Sequence, residues 1–502
     1  MFANAASEFN VESVSMKHLM ELRQWVAAAA RAGTAEHVVE KHVFAKVLAM
    51  GAAVLQEFFD LVGQGDLGET VMLQSGDVVK RSAAPVSRPL VTVFGRFSIA
   101  RFVYGKRAKQ KIELVPTDQR LQLPDSDASY LLQNWNQMLD VGQPFGTAAK
   151  TLETMLGLKQ SVDTLERGNR QMAETAPAFR AAQPAPDPQA EGELLVVSED
   201  NKGVPMVRPV EAAPVGAHLK KGEKANKKQM ACIGVVCSVD RHARTPEALV
   251  AALFRDPDSK RNDSPQACQK RYWAELTREV AGETVRGQDE VFGHLAQDVA
   301  LRRKPGQVLV HLSDGQPSLA EDRKKYLPRD KKTIDVLDLL HVNPRLWEAA
   351  HLFHPEGSDA ATAFVRERML LVLRGKTNEV IDELRRRATE HGLRGARAAR
   401  MRRLCKFMEK NLYRMQYDKY LRAGYPVATG VIEGACRHVI KDRMERAGMR
   451  WTVRGAEAML ELRTIHTNGD WEEFQTYRIE QENKRLYPDA GIFAQIPEAA
   501  AA

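Results

Sequence analysis

Cysteine is scarce in this chain, and its placing excludes more than its number does. The five cysteines (Cys232, Cys237, Cys268, Cys405 and Cys436) form no Cys-x-x-Cys pair among 502 residues. An odd, scattered set speaks against a disulfide framework and fits a reducing compartment. Cys232 and Cys237 fall on opposite faces of one expected strand, which argues against shared ligation of a metal. No uninterrupted apolar run is long enough for a membrane span. The start Met1-Phe-Ala-Asn-Ala-Ala has no basic segment followed by an apolar core, so a signal peptide is not expected. Together these absences predict a cytoplasmic protein with no membrane partner. What the chain does have is 44% hydrophobic residues, enough for sizeable cores, and a net charge of +8. That balance favours a polyanionic partner, and the length exceeds one ordinary domain.

Residues 1–175 read as a mainly helical region with a β-hairpin. Apolar residues at helical spacing predict helices over 12–31 and 35–63. Val91–Gly95 and Phe97–Tyr104 predict the hairpin. The stretch 128–172 reads as three helices, 128–139, 145–156 and 160–172. Gly157 separates the last two as in a helix-turn-helix. Residues 176–190 are rich in Pro and Ala, cannot sustain a helix or a central strand, and read as a linker. Beyond it, strands are expected at Leu194–Ser198, Ala231–Val239, Val308–Leu312 and Thr333–Leu337, with Arg271–Thr277 a weaker candidate. Residues 345–425 look helical, and 481–502 read as a tail that ends frayed.

Three acids stand out. Asp200 closely follows the apolar run Leu194–Val197, just before a turn expected at Asn201-Lys202-Gly203. Asp314 follows the run Val308–Leu312 and precedes Gly315. Glu433 sits in Gly430-Val-Ile-Glu-Gly-Ala-Cys-Arg437, which reads as a helix start. Each acid alone is also what a turn or a first helical turn prefers. Acids from two strand ends and a helix can converge, and converging carboxylates repel unless a cation lies among them.

Ser198-Glu-Asp200-Asn-Lys-Gly, Leu312-Ser-Asp314-Gly, Asp338-Leu-Leu-His341 and Gly430-Val-Ile-Glu433-Gly-Ala-Cys-Arg-His438 resemble the motifs of bacterial insertion-sequence DDE transposases of the ISKra type. The similarity continues through Arg443–Trp451 and Leu462–Trp471, in the family's order, and spans roughly residues 90–475. The resemblance implies a mixed α/β fold, with an RNase H-like catalytic domain over 191–480 and a helical insertion over about 345–425. In that fold the first and fourth strands lie side by side. It implies catalysis by Asp200, Asp314 and Glu433, which would hold two Mg2+ ions, with Mn2+ able to substitute. Asp338 and His341 would support the active site from outside that trio. The implied activity is cleavage of DNA at element ends and strand transfer into target DNA. A nucleoid-associated homo-oligomer, at least a dimer, would carry it out. One departure from the family is plain: relatives often carry a cysteine-paired zinc ribbon where this chain has Tyr104-Gly-Lys-Arg-Ala-Lys-Gln-Lys111, a basic arm with no cysteine. Two rivals stay open, a DNA-binding regulator without catalysis and a metal-dependent nuclease that cuts without joining.

Candidate DNA contacts follow from charge and position. Lys159, Gln160, Arg167 and Arg170 lie on or before the third helix of the 128–172 group, and Lys106 and Arg107 in the basic arm. Lys224, Lys227 and Lys228 lie in a basic stretch between the first two strands. Arg437 and Lys441 follow Glu433 at four-residue steps, which stacks them on one side of a regular α-helix. These groups read either as phosphate contacts or as solvated basic faces. Trp451 reads either as a base-stacking platform or as a core anchor.

Overall fold

The computed structural model describes residues 13–106, 111–207, 228–257, 264–428, 430–446 and 448–488. The chain is a mixed α/β protein that divides into two compact units, one of residues 1–175 with 472–502, the other of Ala176–Trp471.

In the first unit, helices Val14–Arg31 and Glu36–Val62 pack as a pair, followed by short strands and the hairpin Val86–Thr92/Gly95–Arg101. The hairpin starts and ends earlier than its apolar residues suggested and turns over Val93-Phe94, not near Gly95-Arg96, with Leu90 and Ile99 packed on Leu123. Helices Tyr130–Gly142, Phe145–Leu156 and Val162–Ala173 form a three-helix group. Gly157 ends the second in the left-handed conformation (φ 69°), and the Ser161 side chain caps the third, as the residue types dictate. The Trp471–Leu486 helix reaches this unit: Arg478 Nη1 donates to Gln133 Oε1 at 2.9 Å, and Glu482 accepts from the Asp125 amide at 3.0 Å. The expected tail is therefore helical to Leu486, and residues 489–502 lie outside the described residues.

The second unit is built on a five-stranded sheet. Its strands are β1 (Leu194–Pro205), β2 (Lys228–Val239), β3 (Cys268–Leu276), β4 (Val308–Ser313) and β5 (Thr333–Leu337), in the order β5-β4-β1-β2-β3. β1, β4 and β5 run parallel, and β2 and β3 antiparallel to their neighbours. The first and fourth strands are neighbours, as the resemblance leads one to expect.

Two expectations about the sheet and its approach fail. No turn follows Asp200: β1 pairs with β2 from Leu194 to Pro205, so Asn201-Lys202-Gly203 is strand. The apolar pattern stops at Val197 because the distal half of the ribbon is held by backbone pairing and is only partly buried. Nor is 176–190 without structure, since Ala176–Ala182 is a helix. Pro177 sits in its first turn, where a missing N–H costs nothing. Phe179 is buried, and Arg180 pairs with Glu461 at 2.6 Å.

One sheet face carries Leu195, Val197 and Leu309 against α1 (Gly287–Arg302) and α2 (Pro317–Tyr326). At the carboxyl end of β4 and β5 the chain enters α3 (Leu339–Ala350) and a helical segment running to residue 422. That segment buttresses the strand ends. Arg414 Nη1 donates to Ser313 Oγ, and Tyr417 Oη to the Leu337 carbonyl, both at 2.8 Å.

Candidate functional site

Register brings the aspartates together. Glu199, Ser313 and Leu337 are level across β1, β4 and β5, and the next residue on each strand is Asp200, Asp314 and Asp338. Neighbouring strands stand about 4.8 Å apart, so three acids form one row at the carboxyl end of the parallel strands. Gly315 allows the chain to turn away there. Its φ is +91°, and a Cβ would come within 2.9 Å of Phe407.

Each aspartate is held differently. Asp200 Oδ1 accepts from the Asn201 amide at 2.7 Å, and its Oδ2 accepts from the Cys436 thiol at 3.0 Å. Asp314 Oδ1 accepts from the Gln316 amide at 2.7 Å. Asp338 is buried and caps α3 through the Leu340 amide at 2.8 Å. The cap fixes the first turn of α3 and so places His341 one turn on. A cavity of about 430 Å³ opens beside Asp314 and His341, walled by Pro317, Pro344, Arg345 and Phe407.

Glu433 comes from α4 (Gly430–Ala435), which packs on β1 and β2. Its two carboxylate oxygens are buried and accept no hydrogen bond. Burial pushes the carboxyl above its ordinary range and the charge of Asp200 adds to the rise, while its own backbone amide, His341 and the neighbouring Asp338 side chain partly offset it. Among the described residues one group of three possible metal ligands stands out: Asp338, His341 and Glu433 each offer an atom, all within 4.8 Å of one another. Asp200 and Asp314 are not part of that group. The geometry thus groups Glu433 with the two residues that the sequence assigned to a supporting role.

The sequence missed a second set beneath the row, on the opposite face of the sheet. His311 Nε2 meets Glu199 Oε1 at 2.8 Å, its Nδ1 meets Asp335 Oδ1 at 3.2 Å, and Arg323 pairs with Asp335 at 2.6 Å. Burial opposes the charged imidazole, yet Glu199 and Asp335 outweigh it and lift His311 to about 9. The signal was available, because His311 and Glu199 interrupt apolar runs on the same side of the pleat as Leu309 and Val197.

The basic residues fall less neatly. After α4 the chain winds as a π-turn over Cys436–Lys441, in which four-residue steps no longer return to one face. The Glu433 oxygens are buried while Arg437 is 71% exposed and pairs with Asp442 at 3.5 Å, not with Glu433. Lys441 is also exposed. The single stripe expected from α-helical spacing is therefore corrected. Trp451 is buried, donates from Nε1 to the Met444 carbonyl at 3.1 Å, and has Arg443 4.9 Å from its ring centroid. It is a core anchor, and its ring is covered by protein and not offered to a base.

Lys159 and Arg167 are exposed and Gln160 half-buried; Arg170 lies 3.8 Å from Glu166. Asn169, on the same helix, is turned inward to Gln137 Oε1 at 2.9 Å. Lys106 pairs with Asp77 at 2.7 Å and Lys228 with Glu445 at 2.6 Å. Arg107, Lys224 and Lys227 lie outside the described residues. All five cysteines are free thiols, and among the described residues no helix is long and apolar enough to cross a membrane. No family model matches the chain, and no curated protein sequence matches it either.

Proposed function

We propose that this chain is a DDE-type DNA transposase whose Ala176–Trp471 unit is an RNase H-like catalytic domain. The observation that carries the reading is the row of Asp200 and Asp314 on paired parallel strands, with Glu433 close enough for the Asp200 charge to raise its carboxyl. Asp200 and Asp314 follow register-matched residues of neighbouring strands, and Glu433 lies on a helix that packs on β1 and β2. Their environment fits a cation. Two buried Glu433 oxygens accept no hydrogen bond, and a dication there would offset the burial and the Asp200 charge that raise its carboxyl.

Asp200, Asp314 and Glu433 would hold divalent ions, Mg2+ or Mn2+ by their oxygen donors. When bound, such ions activate an oxygen nucleophile and stabilise the leaving oxygen of a phosphodiester. The chain's own part is placement. The Cys436 thiol fixes one oxygen of Asp200, the Asp338 cap fixes His341, and Arg414 and Tyr417 hold the strand ends. In the first step water breaks a phosphodiester and leaves a free 3′-hydroxyl. In the second, that hydroxyl attacks a target phosphodiester, and the bond made replaces the bond broken. The three-helix group with Lys159, Gln160, Arg167 and Arg170, and the arm at Lys106, would bind element ends, and an oligomer would hold two ends together.

Cleavage and joining of labelled element-end DNA in Mg2+ tests this. Asp200→Asn, Asp314→Asn and Glu433→Gln are each expected to abolish both steps while DNA binding persists. Full cleavage by any one of them refutes the assignment.

A further inference from the structure

Asp338, His341 and Glu433 are a different donor set from three carboxylates. A ring nitrogen of His341 and a carboxylate oxygen from each acid lie within 4.8 Å of one another. His341 Nδ1 and both Glu433 oxygens are buried without a hydrogen-bond partner. A buried polar atom left alone costs about 1–3 kcal/mol, and here three such atoms belong to two side chains of one cluster. The scaffold is already set. Asp338 uses Oδ1 to cap α3, and His341 lies three residues on, over the same helical turn. Glu433 arrives from a separate element.

We propose that Asp338, His341 and Glu433 form a binding site for a first-row transition-metal dication, with one imidazole nitrogen and two carboxylate oxygens as ligands. An imidazole donor matters because it favours such ions over Mg2+, which prefers oxygen alone. Ligands sit about 2.0–2.2 Å from such an ion, so the three side chains would draw together on binding it. Three protein ligands leave coordination positions open, as in sites that bind a further group. The site shares Glu433 with the strand-transfer reading but does not depend on it, since it needs no DNA and neither Asp200 nor Asp314.

Mn2+ alone serves as the probe, with the full chain and no DNA. Pulsed electron paramagnetic resonance of bound Mn2+ should show coupling to one imidazole nitrogen. The coupling should vanish in His341→Gln and persist in Asp200→Asn. Mn2+ affinity should fall about 10- to 100-fold in Asp338→Asn and in His341→Gln, a range that outer partners alone can reach. Asn caps helices as well as Asp does, so Asp338→Asn keeps α3 intact, and circular dichroism of both variants checks folding. Absence of nitrogen coupling in the wild type overturns the site, as does coupling that survives in His341→Gln. Unchanged Mn2+ affinity in folded Asp338→Asn does the same. Loss of cleavage in Asp200→Asn bears only on the transposase reading, which keeps the two failures apart.

Discussion

The two faces of one sheet carry the same residue types and treat them in opposite ways. On the α1/α2 face, both nitrogens of His311 meet carboxylates, Glu199 and Asp335, and Arg323 joins the second. On the other face, His341 Nδ1 and both oxygens of Glu433 meet no partner. Glu199 and Asp200 are consecutive, so a single step along β1 passes from one arrangement to the other. The difference teaches how to read acid and histidine clusters. A partnered set in a core holds the fold, although one Glu199 oxygen is left over. At the end of the parallel strands, the unpaired atoms of His341 and Glu433 are what the proposed ion would engage.

The largest effect that tests this contrast falls on the closed side. His311→Gln leaves Glu199 and Asp335 without the cation between them. Breaking a buried charge set by removing one member costs about 3–5 kcal/mol, and chemical denaturation should show a loss of that order. The pH dependence has a defined sign. His311 is lifted from 6.5 to about 9, so its stabilisation is complete below pH 6.5 and fades as pH rises to about 9. Its full amplitude is on the order of 3 kcal/mol. The variant should lose that slope. An unchanged slope, or a small stability change, removes the distinction between the faces.

A smaller effect of opposite sign is expected on the open side. Glu433→Gln removes a carboxyl that burial holds above its ordinary range. Without metal, the wild type loses stability as pH rises through that raised value, and the variant does not. At pH 8 the metal-free variant should be more stable by about 1 kcal/mol, the low end for a buried unsatisfied group, because part of the residue faces solvent. With Mn2+ added the difference should shrink or reverse, since the wild type gains more binding energy than the variant. Thermal unfolding with and without Mn2+ reads both, and a variant less stable than wild type in chelator contradicts the open reading.

How much of this was legible in the sequence follows from what each feature depends on. Thr333–Leu337 was bounded correctly and Val308–Leu312 fell short by Ser313 alone, since short apolar runs mark buried parallel strands. The row Asp200, Asp314 and Asp338 could be foreseen in part, because each acid follows such a run; that they stand level depends on strand register, which no local pattern encodes. The continuation of β1 past Asp200 was hidden, because Asn201–Pro205 is held by backbone pairing to Lys228–Cys232, and Asn-Lys-Gly reads locally as a turn. The helix at Ala176–Ala182 was hidden because the anchoring partner of Arg180, Glu461, is remote in sequence. The nearness of Glu433 to His341 was hidden for the same reason.

The smallest effects belong to Arg437 and Lys441, where a regular helix was expected and a π-turn stands. Both side chains are exposed, and an exposed ion pair such as Arg437–Asp442 contributes about 0–1 kcal/mol. Replacing both with Gln should shift stability by less than about 0.5 kcal/mol, well below either change above. Since the π-turn separates them from the buried Glu433 oxygens, neither should alter Mn2+ affinity. Any role they have is outward, toward phosphates, where each neutralised phosphate contributes about one unit to the slope of log affinity against log salt. The double variant is therefore expected to bind DNA more weakly and with a slope shallower by up to about two, while its metal affinity stays that of the wild type. Salt titrations of DNA binding by the full chain measure the slope. If the slope is unchanged, the two cations are a solvated face; if metal affinity falls with them, Glu433 is coupled to the π-turn, and the separation drawn between the buried and exposed sides of this segment is wrong.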